Sequence, residues 1–193
     1  MEAKARAGVT DPCLVLFGDS ISEGHPAKQL RGLPVVNMGI SGDEADSPDG
    51  GLLRRIHLVS AVRPAEVFLL IGINDLNNGK SPATLMEQIR AVVSALRAEL
   101  PATAIYLQSV LPTSAKYLPL LSKVVETNEM LRAYAVGLKM EFVDVFSAMT
   151  DETGALRGEL TNDGVHLSEQ GYIIWTNSIE GAPRVNRYAD NGA

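Results

Sequence analysis

At 193 residues the chain has room for one well-buried core and too little length for two. Hydrophobic residues make up 46% and charged residues 21%, an ordinary globular balance, and a net charge of −6 repels nucleic acid and anionic membrane. Cys13 is the single cysteine, which excludes an intrachain disulfide and a cysteine metal site; three histidines (His25, His57, His166) argue against a multi-histidine one.

Met1 to Pro12 is polar and mixed in charge. The first apolar run, Cys13–Phe17, is shorter than the roughly 7–15 residues of a signal-peptide core. No stretch reaches the about 18 apolar residues that span a bilayer. The expected compartment is cytoplasmic, or extracellular if a leader has been removed. Cys13–Phe17 itself reads as a strand, and so do Pro34–Met38, Glu66–Ile71, Ala104–Ser109 and Glu141–Val145. These runs lack clean alternation, which suggests strands covered on both faces, as in a parallel sheet.

Helical spacing fills the gaps. Gly51–Val62 carries Leu52, Leu53, Ile56 and Val59. Ser81–Leu100 opens with a capping serine and a proline, and places Leu85, Ile89, Val92, Val93 and Leu96 on one stripe before Pro101. Leu118–Leu138 repeats the pattern through Leu121, Val124, Val125, Asn128, Leu131 and Ala135. Ser168–Ser178 is a last helix with Ser168 as its cap. Strand-helix alternation with crossovers of this length predicts α/β architecture, a three-layer α/β/α sandwich around a five-stranded parallel sheet. One domain is expected over 1–193, with its core at about 13–180 and an aperiodic, partly disordered tail from Gly181 to Ala193.

In open parallel sheets ligands bind beyond the carboxyl ends of the strands. That rule gathers four loops: Gly18-Asp19-Ser20, Gly39-Ile40-Ser41-Gly42-Asp43, Gly72-Ile73-Asn74-Asp75, and the region of Asp163 and His166. Ser20, after a strand and a glycine, is a candidate nucleophile; a serine there can also cap a helix. His166 is the candidate general base, and Asp163 the acid that orients it. Asp163-Gly164 also reads as a turn, which is what lets the acid reach back. An oxyanion needs donors, and the N–H groups of Ser20 and Gly42 and the side-chain amide of Asn74 are available. Glycine at 42 also suits a flexible loop, and Asn74 could instead cap its own turn.

Together the four loops resemble the GDSL/SGNH hydrolase superfamily, named for a Ser, Gly, Asn and His in four ordered blocks. Gly18-Asp19-Ser20 is similar to the first, with Ile21 where leucine is common. Asn37-Met38-Gly39-Ile40-Ser41-Gly42-Asp43 resembles the second, Gly72-Ile73-Asn74-Asp75 the third, and Asp163-Gly164-Val165-His166-Leu167 the last. The resemblance spans roughly residues 13–175. It implies a flavodoxin-like fold and serine-dependent hydrolysis of carboxylic esters. In those terms Ser20 is nucleophile, His166 base and Asp163 its orienting acid, while Gly42 and Asn74 complete the oxyanion hole. No metal or organic cofactor is implied.

The superfamily includes lipases, thioesterases, lysophospholipases and sugar deacetylases, so the substrate stays open. Short loops at Gly42 and Asn74 favour a shallow site, a small-molecule ester and acyl groups from acetyl to about hexanoyl. Leu111, Tyr117 and Leu118 are candidate acyl-pocket walls, or else residues that dock the next helix. Alternatives within this chemistry are deacetylation of an O-acetylated carbohydrate and acyl transfer. Outside enzymes, a flavin- or nucleotide-binding module could use the same sheet. The first loop instead holds Asp19 and Glu23, which repel phosphate, and there is neither a P-loop lysine nor a dinucleotide glycine triplet.

Overall fold

The computed structural model of the chain describes residues 12–185. Six strands form one sheet: β1 (Leu14–Gly18), β2 (Gln29–Leu30), β3 (Leu33–Gly39), β4 (Glu66–Leu70), β5 (Ala104–Gln108) and β6 (Glu141–Val143). Their order is β2-β3-β1-β4-β5-β6. The five strands expected from the sequence are the parallel ones. The sixth, β2, is a two-residue antiparallel edge paired with β3, too short to leave an apolar pattern. Residues of β1, β4 and β5 are all buried, as strands covered on both faces must be. β3 departs from that expectation: only Met38 is buried, because little more than β2 lies on its outer side.

Seven α-helices are described: α1 (Ser20–Glu23), α2 (Ile56–Ala61), α3 (Ile73–Asn77), α4 (Pro82–Glu99), α5 (Leu121–Gly137), α6 (Val145–Met149) and α7 (Glu169–Gly181). α4 starts as its sequence dictates, with the Ser81 hydroxyl accepting from Thr84 N–H and Pro82 in the first turn. Ser168 caps α7 through Gly171 N–H. The helices α2, α4 and α5 pack side by side. On the other sheet face α7 sends the Trp175 indole N–H to the Gln108 side chain at 2.6 Å. Phe68 and Tyr106 lie on that α7 face, stacked 4.3 Å apart; alternation turns Val67, Leu69, Ile105 and Leu107 the other way.

Two predicted helices are divided. Gly51–Val62 becomes a 3₁₀ turn at Leu52–Arg55 followed by α2, with the break at Arg55 (φ −107°, ψ 4°). Residues 115–120 form a 3₁₀ turn before α5, since Pro119 lacks the N–H that a continuous helix requires. The buried stripe of α5 is Val124, Thr127, Leu131 and Ala135; Val125, expected inside, is 40% exposed. Strand β6 stops at Val143, short of the predicted Val145, because Asp144 caps α6 through Ser147 N–H. The start of the expected tail is held: Arg184 Nη2 donates to the Arg31 carbonyl at 2.7 Å and Val185 N–H to the Tyr106 hydroxyl at 3.3 Å. Residues 186–193 and 1–11 lie outside the described residues. Among the described residues no helix is long and apolar enough to cross a membrane.

Candidate active site

The first strand ends at a point of close backbone approach. Gly18 and Gly39 are paired in register on β1 and β3. A Cβ on Gly18 would collide with the Leu70 carbonyl and the Ser22 side chain, and one on Gly39 with the Glu23 backbone. The two glycines therefore let α1 sit directly on the sheet edge. The cap of α1 is Asp19, whose Oδ1 accepts from Ile21 N–H at 2.9 Å. Ser20, half-buried at the first helical position, is thus freed from capping.

Its hydroxyl meets a ring from the far end of the chain. Ser20 Oγ lies 3.0 Å from His166 Nε2, and His166 Nδ1 lies 2.8 Å from Asp163 Oδ2. The other carboxylate oxygen of Asp163 accepts from the N–H groups of Val165 at 3.0 Å and His166 at 2.8 Å. This is an Asx turn, the local geometry that folds an acid back onto a histidine three positions later. Gly164 makes it possible, with φ +98° and a Cβ position that would strike the Ser114 carbonyl. Although partial burial pushes the Asp163 carboxyl up, the His166 ring and the two backbone donors outweigh it and hold the group down to about 2. The carboxylate is therefore ionised at any working pH. The sequence reading passed over Thr161, whose hydroxyl donates to the His166 carbonyl at 2.7 Å and accepts from Gly164 N–H at 2.9 Å.

The candidate oxyanion donors Gly42 and Asn74 follow β3 and β4, Gly42 in a loop and Asn74 in the first turn of α3. Asn74 Nδ2 donates to the Asp43 carbonyl at 2.9 Å, and the side chain makes no cap to its own helix. Gly42 is exposed with φ +77°, and no atom lies within 4 Å of where a Cβ would stand. The loop carrying it is tied at several points. Ile40 N–H reaches the Gly18 carbonyl at 3.1 Å, Ser41 N–H reaches Glu23 Oε2 at 2.9 Å, and Ala45 N–H reaches the Asp75 carboxylate at 3.2 Å. Lys80 Nζ bridges Asp75 at 2.8 Å and Glu44 at 2.7 Å.

The candidate acyl-pocket residues differ in exposure. Leu111 is 2% exposed and belongs to the core, which leaves it no surface to offer a substrate. Tyr117 is half-buried, while Leu118 is 48% exposed on the 3₁₀ turn. His57 is exposed on α2, and His25 is buried against Tyr172 and Trp175. Asp19 carries a second burden beside its cap. It is fully buried, its Oδ2 has no hydrogen-bond partner, and burial pushes its carboxyl up to about 7. The nearby Asp75 and Asp43 charges add to that shift, whereas Ile21 N–H and His166 oppose it.

The chain is similar to known proteins over most of its own length. Human platelet-activating factor acetylhydrolase IB subunit alpha1 is 26% identical over 170 residues, covering 84% of this chain and 71% of that protein. Esterase TesA of Pseudomonas aeruginosa is 31% identical over 134 residues, covering 68% of this chain and 60% of its own. Among solved structures, a GDSL-like lipase from Bacteroides thetaiotaomicron superposes with a TM-score of 0.77 at 25% identity, covering 93% of this chain and 92% of the other. The model of the GDSL-like lipase/acylhydrolase family matches residues 16–174, from the first strand through the last loop and into α7. The ordered loops and the extent of that match lead to one conclusion: the chain belongs to the GDSL-like lipase/acylhydrolase family.

Proposed function

We propose that the protein is a serine esterase that cleaves small carboxylic esters of short acyl chains through an acyl-enzyme. The observation that carries this reading is the continuous line from Asp163 through His166 to the Ser20 hydroxyl, at 2.8 and 3.0 Å. His166 Nε2 takes the Ser20 proton as Oγ attacks the ester carbonyl, and Asp163 stabilises the imidazolium that forms. The tetrahedral oxyanion lies toward the N–H groups of Ser20 and Gly42 and the free amide hydrogen of Asn74. Collapse expels the alcohol, which takes the proton from His166. Water then attacks the acyl carbon as it gives a proton to the same nitrogen; the Oγ–acyl bond breaks, Ser20 Oγ recovers that proton and the acid leaves.

Preference for short acyl groups follows from exposure. The His166 side chain is 48% exposed and Gly42 lies at the surface, so the acyl group sits near solvent rather than in a deep cleft. The acetylhydrolase named among the relatives fits a small acyl group. A ladder of nitrophenyl esters tests both parts. Turnover is expected to peak between acetate and about hexanoate, and Ser20→Ala is expected to abolish it while the folded protein keeps its melting temperature. Near-normal turnover by Ser20→Ala, or a maximum on long chains, would contradict the respective part.

A further inference from the structure

The sequence marks Arg55 only as one of two cations on a helical segment, yet the fold turns it inward and buries it. Its guanidinium sits where the first two parallel strands end. Nη1 donates to the Met38 carbonyl at 2.9 Å, and Nη2 to the Gly18 carbonyl at 3.2 Å. Nη2 also pairs with Asp43 Oδ2 at 2.5 Å, and the cation stacks 4.9 Å from the Phe17 ring centroid. Gly18 leads into the nucleophile turn, Met38 leads into the loop of Gly42, and Asp43 directly follows Gly42. A planar guanidinium holds its donors in fixed directions and matches these three acceptors at once, a fork that an ammonium does not reproduce.

Asp43 passes this constraint onward. Its side chain is held by Arg55, and its backbone carbonyl accepts from Asn74 Nδ2 at 2.9 Å. That carbonyl can be met only by the NH₂ end of the Asn74 amide, since a flipped amide would set two oxygens against each other. One amide hydrogen is spent there and the second is left to serve substrate. The position of Asp43 thus fixes both the peptide of Gly42 and the direction of the Asn74 amide. The pair is nearly dry, with side-chain exposures of 10% for Arg55 and 9% for Asp43. Removing one partner strands a buried charge, so the pair behaves as a unit.

We infer that the Arg55–Asp43 pair is a positioning device that presets two donors of the oxyanion hole, Gly42 N–H and the Asn74 amide, against the Ser20 turn. The inference rests on the esterase reading above. Neither residue touches substrate. The pair acts on the transition state through donors whose aim it sets, so its loss falls on kcat and spares KM.

The test measures kcat and KM on a short nitrophenyl ester for Asp43→Asn, Arg55→Lys, the double variant and Ser20→Ala, each below its melting temperature. Asp43→Asn and Arg55→Lys are each expected to lower kcat about 10- to 100-fold with KM within about threefold. The double variant is expected to be no more than about threefold worse than the weaker single one, because both changes break the same link. If Arg55→Lys does not fold, the near-isosteric Asp43→Asn decides alone. A kcat within twofold of the parent for Asp43→Asn, losses that appear in KM instead, or losses that multiply in the double variant would each overturn the inference. If Ser20→Ala is inactive while Asp43→Asn is unimpaired, only the positioning device falls. Full turnover by Ser20→Ala would remove the esterase reading and this inference together.

Discussion

At the scale of single residues, the candidate site shows how little chain is needed to orient a histidine ring. Asp163, Gly164 and His166 form a self-contained turn in which one carboxylate oxygen holds two backbone N–H groups and the other holds the ring. Such a unit is legible in a sequence, since the acid, the glycine and the histidine lie within four positions. Asn74 is different. Its identity stands out beside Gly72, but its task depends on Asp43, 31 positions away, whose carbonyl claims one of its two amide hydrogens. In the proposed mechanism, replacing Asn74 with alanine removes the other hydrogen from the oxyanion. Asn74→Ala is expected to lower kcat by about 10²–10³ in steady-state ester hydrolysis. An unchanged kcat would take the amide out of that role. The burial of Arg55 and Asp19 is not readable from the sequence, because it depends on what surrounds them, and spacing along the chain does not record that.

Elements explain where the pattern of the sequence held and where it bent. Strands β1, β4 and β5 were plain because burial on both faces leaves nothing but apolar residues. Helix α4 was plain because cap, proline and stripe agree over five turns. The short helices α1, α3 and α6 escaped notice, each having only four or five residues and owing its place to the strand end before it. The link between α1 and α7 was equally invisible. His25, in the loop after α1, stacks edge-on against Tyr172 and Trp175 of α7, with Nδ1 accepting from Ala27 N–H at 3.2 Å. Burial lowers His25 from the usual 6.5 to about 4. The folded protein therefore refuses a proton that the unfolded chain accepts, and stability falls as pH drops from about 6.5 to about 4.

Asp19 works the other way over an overlapping range, because the folded state keeps a proton that the unfolded chain releases above about 3.8. The contribution of His25 is therefore read as a difference. In thermal melts from about pH 7 down to about pH 4, the parent is expected to lose more melting temperature than His25→Gln, whatever their offset. Parallel slopes would contradict a neutral buried imidazole joining these two elements.

For the molecule as a whole, the strand order brings remote residues to one edge. Parallel strands all deliver their carboxyl ends to the same side, so the loops of Ser20, Gly42 and Asn74 share a rim regardless of their separation in the chain. That rule made the site legible before any coordinate. It did not reveal the surface of the site, since the walls proposed from apolar loop residues include Leu111, which the core absorbs. Packing decides which face of a loop residue meets solvent, and a single sequence does not carry that decision. The network beneath the rim, from Arg55 to Asp43 and from Asp75 to Lys80, is likewise a product of the assembled fold.

The most direct test of a nucleophile at that rim is covalent. Treatment with a fluorophosphonate probe, followed by peptide mapping, is expected to place one phosphonyl group on Ser20, with labelling slowed severely in His166→Ala and absent in Ser20→Ala. A label on another residue, or equal labelling of the His166→Ala protein, would contradict the account.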